Sequence, residues 1–235
     1  MKNLLFYVLI LVSGCTGYAQ TLPNNTYSMP AGKKAVLKLP YAQNIRVKAW
    51  DKPELQFNTT FVTTSEAMKN IHTMDVQDSR ESLSITTDFK KDMDWKHISC
   101  CWCDACDSLL KSGNTVPVTI DNSPCICLRI DYEILLPAGA ALTLETISGD
   151  IEIAGSNGAL RLKTISGFVD IARSPNAPAD IEFKSVTGEI YTDFDITLDK
   201  NSSAYHKKVF TRLNGGGSSV WAETVSGDIF FRKAR

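Results

Sequence analysis

Of seven cysteines, six set the chemistry this chain could do once N-terminal processing takes Cys15 out of the pairing thiols. Cys100, Cys101, Cys103 and Cys106 are clustered, and Cys125 and Cys127 follow. Thiols at this density have three uses. In an exported chain an even number points to disulfides, because the outer compartments are oxidising. The spacing does not choose among their connectivities. The second use is a metal centre, with Cys103-x-x-Cys106, Cys125-x-Cys127 and His97 as ligands. Soft sulfur pairs suit tetrahedral zinc or copper(I), although the second pair is one residue tighter than the common zinc spacing. The third use is redox, since Trp102-Cys103-Asp104-Ala105-Cys106 resembles a thioredoxin-type phrase. That chemistry needs the first cysteine at a helix N-terminus. No βαβ pattern surrounds it, and Gly113 would end any helix early. The disulfide reading therefore comes first, with no cofactor expected and zinc or copper as the alternative.

Hydrolytic chemistry has less to work with. His72, His97 and His206 fall in no spacing that suggests a triad or a metal pair. Asp150 with Glu152, or Asp193 with Asp195, imitates a glycosidase dyad. Alternating carboxylates on the solvent face of a strand are the ordinary explanation. Gly215-Gly216-Gly217 lacks the Lys-Ser/Thr of a phosphate loop and reads as a turn. The expectation is a protein that is not an enzyme, with no catalytic residue to name.

The elements that must position these residues are strands. The chain has 235 residues, 43% of them hydrophobic, and a net charge of −1. Near-neutral charge argues against nucleic acid as a partner. Leu4 to Val12 is an unbroken apolar run behind Lys2, too short to span a bilayer and suited to a signal peptide. Gly17-Tyr18-Ala19 predicts cleavage before Gln20. Val12-Ser13-Gly14-Cys15 predicts instead a lipidated Cys15 as the first mature residue. Simple cleavage is preferred, giving a signal peptide over 1–19 and a polar leader over 20–35. Either route places the chain in the periplasm or on the outer surface, touching membrane only through a lipid anchor.

Period-two alternation predicts strands at 36–39, 45–49, 55–58, 73–76, 83–87 and 128–134. Thr63-Thr64-Ser65-Glu66 has capping-box spacing and predicts a short helix through Ala67, Met68 and Ile71. A cysteine-rich insertion spans about 88–127 within an N-terminal β region, 36–141. From 142 to 235 the chain repeats itself. Thr146-Ile-Ser-Gly149-Asp-Ile, Thr164-Ile-Ser-Gly167-Phe-Val, Ser185-Val-Thr-Gly188-Glu-Ile and Thr224-Val-Ser-Gly227-Asp-Ile share one pattern, their glycines 18, 21 and 39 residues apart. The long last gap predicts a degenerate unit near Tyr205 to Leu213.

A short unit of two strands and a fixed turn is a solenoid signature. Stacking would align Thr146, Thr164, Ser185 and Thr224 in one column and Ser148, Ser166, Thr187 and Ser226 in another. Each glycine would stand where the corner needs positive φ or close backbone approach. The preferred fold is an all-β solenoid of short strands with Ser-Gly corners. The alternative is an antiparallel hairpin meander, with Leu144 opposite Ile153. Tyr191, Trp221, Phe168 and Phe230 make an aromatic patch if they face outward together.

These repeat phrases resemble those of the bacterial adhesin-like domain family of unknown function, relatives of the head-GIN adhesin-like domains. Ile45-Arg-Val-Lys-Ala-Trp50-Asp51-Lys-Pro resembles the family's opening strands, and Tyr132-Glu-Ile-Leu-Leu-Pro137-Ala-Gly its lead-in to the repeat. The resemblance covers most of 36–231 and implies a β-helical envelope protein with no catalytic residues to carry over. The Cys100–Cys127 stretch departs from it. The functional expectation is a non-enzymatic adhesin-like protein that binds or scaffolds, its partner a cell-surface protein or a glycan. A metal or thiol module is the alternative and a carbohydrate-active enzyme the weaker one.

Overall fold

A computed structural model describes residues 18–21, 24–63, 65, 68–91, 99–101, 118–120, 123–203 and 207–234. The described chain is built from strands in two sheets. The N-terminal strands are β1 (Tyr18–Thr21), β2 (Asn25–Ser28), β3 (Lys34–Lys38), β4 (Asn44–Trp50), β5 (Glu54–Thr63), β6 (His72–Asp78) and β7 (Ser82–Phe89). β8 (Ser99–Cys101), β9 (Val118–Ile120) and the long β10 (Ser123–Pro137) flank the cysteine-rich segment. The repeats supply β11 (Ala141–Glu145), β12 (Asp150–Ala154), β13 (Leu160–Lys163), β14 (Val169–Arg173), β15 (Ala179–Ser185) and β16 (Ile190–Thr192). β17 (Lys208–Leu213), β18 (Ser218–Thr224) and β19 (Ile229–Lys233) complete the chain.

Alternation decides which side chains meet. Leu142, Leu144, Leu160, Leu162, Val220 and Ala222 point inward from one sheet, and Ile151, Ile153, Val169, Ile171, Ile229 and Phe231 from the other. Each is at most 2% exposed, and they form one core. Burying an aliphatic side chain of this kind contributes about 1.5–3 kcal/mol. No single unit can do this alone, so the two sheets must form together.

The pairing within the repeats is parallel. β11 lies between β3 and β13, with Leu144 opposite Leu37 and Leu162. β12 lies between β4 and β14, with Ile153 opposite Val47 and Ile171. The hairpin meander would set Leu144 opposite Ile153, and that register is absent among the described residues. Each Ser-Gly turn instead carries the chain from one sheet to the other.

The stacking order is not the sequence order. One sheet runs β17-β15-β18-β13-β11-β3-β7-β6, and the other runs through β4-β12-β14-β19-β16. The last unit, β18 and β19, therefore lies between the second and third units. An outward charge row matches this order. Lys38, Glu145, Lys163, Glu223 and Lys184 are successive register partners, so neighbours alternate in sign. Lys184 and Glu223 approach to 3.8 Å. In chain order Lys163 and Lys184 would be neighbours, and like charges directly opposite destabilise a sheet.

Among the described residues, the gap between Gly188 and Gly227 holds no degenerate unit. β17 runs antiparallel to β15 at the sheet edge. Phe194 stacks on Phe231 at 4.5 Å and closes this end of the core. The Thr211 hydroxyl donates to the Thr197 carbonyl at 2.7 Å. Residues 193–203 and 207–213 thus cap the stack. A further unit escaped the sequence pattern instead: β3 and β4 pair with β11 and β12 as the repeats do. Leu39 and Ala42, both fully buried, occupy its turn where the later units carry threonine and glycine.

No α-helix forms at the capping-box phrase among the described residues. Thr63 is the last residue of β5, and its hydroxyl accepts from the Ser65 amide at 3.1 Å. A single turn follows, which buries Met68 and Ile71. That turn has 3₁₀ geometry at Met68. At the corner remote from the Ser-Gly turns, Arg173 is 1% exposed. Its guanidinium donates to the carbonyls of Asn157 at 3.0 Å and Pro178 at 3.3 Å and to the Ser218 hydroxyl at 2.6 Å. Burial holds its pKa below the ordinary arginine value. The arginine ties the entry of β18 to the loops beside it.

Candidate functional site

The Ser-Gly corners are built by a ladder of hydroxyls and glycines. Thr164 donates to the Gly149 carbonyl at 3.1 Å, Thr224 to Gly167 at 3.0 Å and Ser185 to Gly227 at 3.0 Å. Thr146 begins the ladder on the Leu39 carbonyl at 2.7 Å. Each bond joins one unit to its neighbour and satisfies a carbonyl at the turn. The four glycines Gly149, Gly167, Gly188 and Gly227 do not have positive φ. Close approach is the reason for them. A Cβ on Gly167 would lie 2.3 Å from the Gly149 oxygen, on Gly227 2.1 Å from Gly167, and on Gly188 1.8 Å from Gly227.

Carboxylates complete the corner. Asp150 Oδ1 accepts from the Phe168 amide at 3.1 Å, and Asp228 Oδ1 from the Glu189 amide at 2.8 Å. Burial raises the Asp150 pKa, the Phe168 amide opposes the shift, and Glu152 adds to it. Of the acids that imitate a dyad, Asp150 and Glu152 have structural partners, and Asp193 Oδ1 accepts from the Lys233 amide at 2.8 Å. Asp150 braces the stack, and Glu152 lies 3.4 Å from Arg46.

The aromatic residues divide between the faces. Trp221 lies under the Arg161 guanidinium at 4.0 Å on one sheet. Phe168, Phe230 and Tyr191 gather on the outer face of the other. Tyr191 stacks on Phe230, centroids 5.2 Å apart and planes 13° from parallel, and Phe168 meets Phe230 edge-on at 6.1 Å. Tyr191 is 50% exposed on the edge strand β16. Beside the rings lies a shallow depression of about 460 Å³, lined by Ser166, Phe168, Thr187, Ser226 and Asp228 with corner glycines. Ser148, Ser166, Thr187 and Ser226 form the expected exposed hydroxyl column. Ile147, Ile165, Val225 and Val186 form an exposed apolar column beside it, which the sequence reading missed. Its only sequence signal is the recurrence of isoleucine or valine before each Ser/Thr-Gly.

His72 belongs to the core rim. Its Nε2 lies 2.9 Å from the Tyr132 hydroxyl, which donates to Thr87 at 3.1 Å. Burial lowers the His72 pKa and raises that of Tyr132. His97, His206, Cys103, Cys106 and Cys15 lie outside the described residues. β8 pairs with β10 in a parallel register that sets Cys101 opposite Cys127, Cys100 opposite Ile126, and Ser99 opposite Cys125. Cys127 is fully buried and its side chain is engaged. Among the described residues no group of three His, Cys, Asp or Glu side chains could hold a metal ion.

Neither a family description nor a curated protein matches this chain. Among solved structures, a "putative cell adhesion protein" from Clostridium sporogenes is similar over 92% of this chain and 99% of its own, with 11% identity and a TM-score of 0.48. A "putative adhesin" from Bacteroides fragilis is similar over 92% of this chain and 97% of its own, with 8% identity and a TM-score of 0.19. In the described chain no helix is long and apolar enough to cross a membrane.

Proposed function

We propose that this chain is an exported, non-enzymatic, adhesin-like protein of the bacterial cell envelope, built as a short β-solenoid and acting by binding or scaffolding. One observation carries the reading. Carboxylates and threonines at the corners are engaged with neighbouring units, whereas the outer face of one sheet carries a cluster of rings that packs outside the core. Asp150 and Asp228 brace neighbouring units, Thr164 and Thr224 donate to glycine carbonyls, and Thr146 donates to the Leu39 carbonyl. Phe168, Phe230 and Tyr191 lie outside the core on a regular surface. The parallel in-register strands support the solenoid, and the apolar N-terminal run supports export.

The test is made on cells. Surface proteolysis and fractionation should place the protein in the envelope, and beads coated with the mature chain should adhere to cell layers. Turnover of a polysaccharide that disappears in Glu152→Gln or Asp193→Asn would overturn the non-enzymatic reading.

A further inference from the structure

We propose that the Phe168–Phe230–Tyr191 face, together with the serine corner beside it, is a subsite for a neutral pyranose sugar. The inference rests on the binding role above and names its ligand class.

The rings stand where this chain otherwise places charge. Along the register row Glu152, Asp170, Phe230 and Tyr191, the first two positions are carboxylates and the last two are rings. In the repeats Phe168 occupies the position that Asp150, Asp228 and Glu189 hold in the other units. These are outward positions, so the rings gain no core packing in return for lost solubility. Trp221 on the opposite sheet is covered by Arg161, but Tyr191 stays half exposed.

The surroundings fit a sugar better than a plain apolar partner. A pyranose offers a C–H face that stacks on an aromatic ring and an edge of hydroxyls that needs donors and acceptors. Phe168 belongs both to the ring cluster and to the depression of about 460 Å³. In that depression the Ser166 and Ser226 hydroxyls make no hydrogen bond among the described residues. Asp228 uses Oδ1 on the Glu189 amide and keeps its second oxygen. The Tyr191 hydroxyl likewise has no partner among the described residues. Around them Asp170 is paired with Arg232, through Nε at 2.8 Å, and Glu189 with Lys207 at 2.6 Å. Paired charges of this kind can both accept from and donate to sugar hydroxyls. The uncompensated charge at the centre is Asp228, which disfavours an anionic sugar.

The experiment prints lactose, N-acetyllactosamine, cellotetraose, chitotriose and mannotriose, each also as a sialylated or sulfated form where one exists. The mature protein, Tyr191→Ala, Ser226→Ala and the control Leu198→Ala are each applied. Leu198 is 57% exposed and outside the face, and urea denaturation confirms that each variant is folded. At least one neutral probe should be retained and its anionic form lost. Tyr191→Ala should weaken binding about tenfold, which corresponds to about 1.4 kcal/mol. Ser226→Ala should weaken it less, and Leu198→Ala should bind as the parent does. Retention of no neutral probe, or unchanged binding by Tyr191→Ala, overturns the inference. Bead adhesion is scored in parallel. Adhesion that resists free sugar leaves the binding role standing and sinks the glycan. Adhesion lost with Tyr191→Ala but not competed by sugar assigns the face to a protein partner instead.

Discussion

At the Ser-Gly corners single atoms set the spacing of the stack. Neighbouring strands in a sheet lie about 4.8 Å apart, and the glycine of each unit rests on the glycine carbonyl of the next. The hydroxyl ladder holds that approach, and the missing side chain permits it. The constraint is not equal along the column. A Cβ on Gly227 would meet the Gly167 carbonyl oxygen at 2.1 Å and its carbon at 2.6 Å, both backbone atoms of a paired strand turn. A Cβ on Gly149 would meet the Ala42 oxygen at 3.0 Å and the Ala42 Cβ at 3.1 Å, where the first unit has a longer turn and can yield. Gly227→Ala should therefore cost about 3 kcal/mol or more and Gly149→Ala about 1 kcal/mol. Urea denaturation of the two variants checks the difference, and equal losses would mean that the closeness of the neighbouring carbonyl does not set the cost at these positions.

The strands were legible in the sequence because period-two burial leaves a direct imprint, as in β4, where Ile45 and Val47 are buried between exposed neighbours. The corner columns were legible for a similar reason, since Thr-Ile-Ser-Gly repeats a turn with one steric solution. The first unit was not legible, because Leu39 and Ala42 reach the same packing without the hydroxyl or the glycine. Nor was the outward aromatic cluster, since alternation gives a side but not which rings share it. One element bears on the start of the mature chain. β1, Tyr18–Thr21, pairs antiparallel with Thr60 to Thr63 of β5. Cleavage before Gln20 would remove Tyr18 and Ala19 and leave half of that strand, whereas a chain beginning at Cys15 keeps all of it. Intact mass of the exported protein is expected to show a chain starting at Gln20, and a lipid-modified chain starting at Cys15 would overturn that expectation and keep β1 whole. A mass starting at Gln20 would mean that β5 is edged in the mature protein by β2 and β10 with only a remnant of β1.

The order of units makes this molecule unlike a simple array. In a sequential solenoid each unit touches only its neighbours, so removing the last one trims the stack and leaves the rest. Here the last unit lies inside. β18 separates β13 from β15, and β19 separates β14 from β16. Residues 214–234 thus supply the centre of the C-terminal end of both sheets, with Phe231 meeting Phe183 at 5.4 Å and Phe194 at 4.5 Å. Deleting them would take away the surface on which the third unit and its cap rest. The alternating row could not reform either, because Lys184 would then face Lys163 in place of Glu223. A chain ending at Asn214 should therefore lose protection of β15 to β17 as one block, while β4, β11 and β12 keep theirs. Hydrogen exchange read by mass spectrometry distinguishes the cases. Slow exchange across Ala179–Ser185 in the shortened chain would show that the third unit docks on the second directly, and that the inserted position of the last unit is not required for the cap to hold.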